Sequence, residues 1–111
     1  MEKEYEKVKS AVERGEESSK TKLAWYKLSG MGGAQVDVFG AAKILEERVE
    51  EGDSEAKWML GLCKEYGRGT EQDIEGAEKL YKECAEAGNE IGKILEGKGR
   101  WGRGEMKIGG L

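Results

Sequence analysis

The chain contains no histidine, no proline and two cysteines, Cys63 and Cys84. Without histidine it lacks the commonest general base near neutral pH and the commonest metal ligand. A tetrahedral zinc site takes four ligands, and two thiols alone do not supply one. Neither a G-x-S-x-G elbow nor a G-x-x-x-x-G-K-[ST] phosphate loop occurs. No stretch approaches the ~20 apolar residues that cross a bilayer. The first residues, MEKEYEKVK, are charged where a secretory leader needs an apolar core, although a leader removed ahead of Met1 stays open. These absences lead us to expect no enzyme activity, no cofactor, no metal and no membrane insertion. They place the chain in the cytoplasm or another reducing intracellular compartment.

Basic character is also scarce. The chain carries 23 acidic against 19 basic residues, a net charge of −4, whereas nucleic-acid-binding domains are usually basic. A local excess near the end, Lys93, Lys98, Arg100, Arg103 and Lys107 around Trp101, has the composition of a base-stacking segment. In an acidic chain we read it as a solvated, glycine-rich end and expect no nucleic-acid partner. Adjacent carboxylates such as Glu16-Glu17, Glu46-Glu47 and Glu50-Glu51 are read as solvated helix surfaces.

What the chain has in quantity is glycine, 18 residues of 111, spread at intervals. Spread this way, glycine acts as punctuation and not as a linker. Gly15, Gly52 and Gly88 are 37 and 36 residues apart, and the pattern between them returns. In the second unit Leu60-Gly61 precedes Gly67-Arg68-Gly69, then Asp73, Ala77, Leu80-Tyr81, Ala85 and Gly88. In the first, Leu23-Ala24 precedes Gly30-Met31-Gly32, then Asp37, Ala41, Ile44-Leu45, Val49 and Gly52. The first unit has one extra residue between its G-x-G and its Asp, where loop insertions are cheap.

Each unit reads as two helices, A and B. Ala56, Leu60 and Cys63 recur at i, i+4, i+7 and predict helix A over 54–66. Gly67 and Gly69 stop it, Asp73 caps helix B, and Gly88 ends that helix before Asn89 opens the next. The Gly67-Arg68-Gly69 loop, which superficially looks like a phosphate cradle, is therefore a turn, because no strand precedes it. Residues 4–15 align with a helix B, and 89–111 supply a third helix A with its turn.

The spacing of Ala56, Leu60, Gly61, Gly67, Gly69, Asp73, Ala77, Leu80, Tyr81, Ala85 and Gly88 resembles the Sel1-like repeat, an α/α repeat similar in architecture to the tetratricopeptide repeat. The resemblance is strongest over 52–88; the first unit departs from it at Ser19 and Arg48, and Lys27 and Lys64 stand where the family usually has an aromatic residue. It implies an all-α solenoid of about six helices in antiparallel hairpins. The whole chain, 1–111, would be one repeat domain: a leading helix B over 1–15, repeats over 16–52 and 53–88, and a partial repeat over 89–111. It further implies a non-enzymatic adaptor or scaffold that binds a protein partner. The alternative is a structural subunit of a larger assembly.

Two surfaces are candidates for that contact. Trp58, Leu62 and Tyr66 form a second apolar stripe on helix A, which Trp25 and Leu28 continue in the first unit and Trp101 in the third. Such a stripe packs repeat on repeat, and any part of it left open lines the concave face, where Trp and Tyr are favoured anchors. The second surface is the C-terminal face around Ile91, Leu95 and Trp101, open to another protein or to a second copy in a homo-oligomer. Two further expectations concern packing. Cys63 and Cys84 are too far apart along the hairpin for a disulfide, and Gly61 marks a close helix approach.

Overall fold

The computed structural model describes the backbone of residues 3–102 and the side chains of residues 3–97. Six α-helices follow in order: α1 (Glu4–Glu13), α2 (Ser19–Ser29), α3 (Val38–Glu50), α4 (Ser54–Tyr66), α5 (Ile74–Glu86) and α6 (Glu90–Gly102). Each packs on its chain neighbours, and the A helices also touch across repeats, α2 on α4 and α4 on α6. The result is an all-α stack with a Cα radius of gyration of 15.2 Å. A compact chain of this length would measure about 13 Å, so the stack is elongated, as neighbour-only packing requires.

Local signals set the boundaries. Asp37 and Asp73 each accept a hydrogen bond from the amide three residues on, Gly40 and Gly76, both at 2.9 Å. Asp53 caps α4 through the Glu55 and Ala56 amides, and Asn89 caps α6 through the Gly92 amide at 3.0 Å. These bonds satisfy amides that a helix leaves unpaired at its start. Both hairpins close with one equivalent bond: the Asp37 amide to the Lys27 carbonyl at 2.8 Å, and Asp73 to Lys64 at 2.7 Å. The extra residue of the first repeat is taken up in a 3-10 turn, Met31–Gly33. At the B-to-A junctions Gly15, Gly52 and Gly88 have φ of 93°, 89° and 90°. A Cβ there would meet nothing within 4 Å, so backbone conformation and not space selects glycine.

Packing follows the stripes. Ala24, Ala41, Ala56, Ala77 and Cys84 are fully buried along the hairpin seams. A Cβ at Gly61 would collide with the ring of Tyr81, which is the close approach the sequence leads one to expect. Tyr81 in turn donates its hydroxyl to Glu65 Oε1 at 2.7 Å. Gly92 plays a comparable part between α5 and α6, where a Cβ would meet Cys84 Sγ at 2.6 Å. Cys63 and Cys84 are both buried and unpaired, and Cys84 Sγ donates to the Ser54 carbonyl at 3.2 Å, at the far end of the hairpin from Cys63.

The first hairpin departs from this apolar scheme at Arg48. Its side chain is 13% exposed and reaches Asp53 Oδ2 and Glu51 Oε2, both at 3.3 Å. Arg48 Nε also donates to Thr21 Oγ1 at 3.3 Å, and Thr21 donates to Asp53. Burial works to raise the Asp53 pKa, but bonds from Thr21, the Ala56 amide, Arg48 and the Glu55 amide overcome it and hold the carboxyl below its usual range. One polar junction thus ties α2, α3 and the start of α4, where the second repeat uses Cys84 and Gly92.

Candidate protein-binding groove

Helices α2 and α4 run side by side as consecutive A helices, and their second apolar stripes face each other. Trp25 on α2 meets Trp58 on α4 edge to face, with ring centroids 5.5 Å apart and planes at 62°. That geometry suits the aromatic quadrupoles. Trp58 is nearly buried, and its Nε1 donates to Glu55 Oε2 at 2.9 Å, so its role is to fix the floor. Toward the C-terminal ends of the two helices lies an apolar cavity of about 180 Å³. Trp25, Leu28, Leu62 and Cys63 form its walls, with Tyr66, Ser29 and Arg68 around it. Tyr66 is 58% exposed and stands at the rim. On the other side of Trp25, between the N-terminal ends of α2 and α4, a more polar hollow is lined by Lys22, Asp53, Glu55 and Met59. Trp25 therefore divides one groove into an apolar end and a charged end.

Arg68 belongs to the turn that superficially looks like a phosphate loop. Its Nη2 donates to the Leu28 carbonyl at 3.0 Å, across to the last turn of α2. Helix ends leave such carbonyls without helical partners, so the turn of one repeat caps helix A of the one before. Burial pushes the Cys63 thiol up to about 11 and raises that of Cys84. Neither thiol has the lowered pKa of a nucleophile. Among the described residues no three acidic or thiol side chains are grouped to hold a metal ion, and no helix is long and apolar enough to cross a membrane.

The candidates thus fall in two places. Trp25, Leu62 and Tyr66 share the cavity, with Trp58 behind them. Ile91 and Leu95 lie on α6, apart from it: Ile91 is 39% exposed, while Leu95 is half-buried against the core. Ile94, between them, is more open at 65%. The side chain of Trp101 and the segment from Arg103 onward lie outside the described residues. Three lining residues, Ser29, Cys63 and Arg68, were not expected here: Cys63 reads as core by its spacing, Arg68 as plain turn, and Ser29 carries no signal of its own.

A crystal structure of a Sel1 repeat protein from Oxalobacter formigenes superposes on 85% of this chain with a TM-score of 0.71 at 24% sequence identity. This is a Sel1-like repeat fold. The chain spans 37% of the length of that Sel1 repeat structure. No family model matches the sequence, and no curated protein matches it. In this chain that fold is built by small residues in the seams, Asp caps and junction glycines.

Proposed function

We propose that the chain is a non-enzymatic protein-interaction module whose concave A-helix face, the α2/α4 groove, holds a segment of a protein partner. The observation that carries this reading is the apolar cavity beside Trp25, open at Tyr66 and backed by the Trp25–Trp58 pair. Rigid aromatic side chains beside an apolar pocket are what interface anchors use. The Sel1-like repeat fold supports the same reading, since adaptor and scaffold roles are usual for it. A permanent structural subunit would use the same groove, and the two differ in solution behaviour: an adaptor is well behaved alone.

Affinity capture from the native source tests this. Tyr66 is largely exposed, so Tyr66→Asp should fold normally and lose the partner proteins that the wild-type chain recovers. The exposed Ile91 and Ile94 on α6 support a second contact face, for another protein or a second copy. Ile94→Asp should leave groove partners in place while removing any self-association seen by sedimentation. Partners retained by Tyr66→Asp would contradict the groove reading.

A further inference from the structure

The groove carries a cation whose charge has no partner among the described residues. Of the arginines at positions 14, 48 and 68, Arg14 pairs with Glu16, and Arg48 with Glu17, Glu51 and Asp53. Arg68 has no ion pair among the described residues, in a chain where acidic residues outnumber basic ones 23 to 19. It is nevertheless held in place, by the bond from Nη2 to the Leu28 carbonyl. A guanidinium presents five donors in a fixed fork, so one anchored donor leaves the rest oriented and available at the edge of the cavity.

The cavity sets the other half of the specificity. At about 180 Å³ it is smaller than the ~300–1,000 Å³ of a small-molecule site. An apolar cavity of about 150 Å³ accommodates a benzene molecule, so one aromatic or branched side chain fits. A run of acidic residues would be disfavoured by the net charge of −4. A single carboxylate at the Arg68 fork forms a short-range, charge-assisted pair instead.

From this we infer that the groove recognises a protein segment in which one large apolar side chain is flanked by a single aspartate or glutamate. The apolar group enters between Trp25 and Leu62, and the carboxylate meets Arg68. The inference rests on the groove reading and adds the chemical class of its occupant.

The test is a short random peptide library panned against the full chain, with affinities measured on synthetic copies of the enriched peptides. Enriched sequences should share a large apolar residue with an Asp or Glu within two positions. Changing that acid to Asn or Gln should weaken binding to the wild type about tenfold or more, and weaken it little on Arg68→Gln. The peptide substitution leaves the protein untouched, so the result stands even if Arg68→Gln lowers the melting temperature. Peptides that are lost on Tyr66→Asp but need no acid and ignore Arg68→Gln overturn this inference and leave the groove reading intact. An absence of enrichment, or peptides indifferent to Tyr66→Asp, overturns both.

Discussion

Arg48 sits one repeat before Cys84, in the position that repeat two fills with a small buried thiol. A guanidinium there is tolerable only because Asp53, Glu51, Glu17 and Thr21 surround it. Breaking a part-buried pair leaves a charge uncompensated. Because the Asp53 pKa is lowered on folding, its stabilisation is complete above the unfolded value of about 3.9 and is lost as pH falls through the folded value. Asp53→Asn should therefore show a shallower loss of stability than the wild type below about pH 4, measured by denaturant titration at several pH values. The thiols give a second expectation. Buried and raised in pKa, Cys63 and Cys84 should react with a disulfide reagent near pH 8 only after denaturation. Rapid reaction of the native protein would contradict their placement in the core. At Gly61 the Tyr81 ring leaves no room for a side chain, so Gly61→Leu should lower stability by roughly 1–3 kcal/mol, read from thermal or urea unfolding.

Helices are where sequence and structure agree best, and the reason is physical. Helix α4 spans Ser54–Tyr66 as its apolar spacing predicts, because a capping carboxylate and a terminal glycine act within a few residues of the boundary. What spacing could not reveal are contacts between elements far apart in sequence. Thr21 bonds Asp53 across 32 positions and Arg68 reaches Leu28 across 40. The meeting of Trp25, Leu62 and Tyr66 in one cavity was half legible: periodicity puts them on one face, but the inter-helix gap is a matter of packing. Gly92 shows the same limit. By helix propensity it is a weak point, worth about 1 kcal/mol against Ala; in the fold it lets α6 approach Cys84. Two alanine substitutions in α6 separate these effects. Gly97→Ala meets nothing within 4 Å and should stabilise by up to about 1 kcal/mol. Gly92→Ala should instead destabilise by about 1 kcal/mol or more, because the added methyl overpacks the α5–α6 seam. Equal melting shifts of one sign would show that this contact is absent.

At the scale of the whole molecule, the groove belongs to neither repeat alone. Its walls come from consecutive A helices, α2 and α4, and its cation from the turn that follows α4. Stacking one hairpin on the next therefore builds the proposed site as it builds the core. The B-helix face, where α3 and α5 flank part of α4, is lined by mixed charges including Glu46, Glu50, Lys64 and Lys79, and no partner is assigned to it. Site-specific photo-crosslinking compares the two faces directly. A benzophenone side chain is placed at position 66, at the groove, or at position 79, on the other face, and the full chain is illuminated in its native source. Discrete protein adducts are expected from position 66 and none from position 79. Adducts from position 79 alone, or none from position 66, would contradict the groove reading.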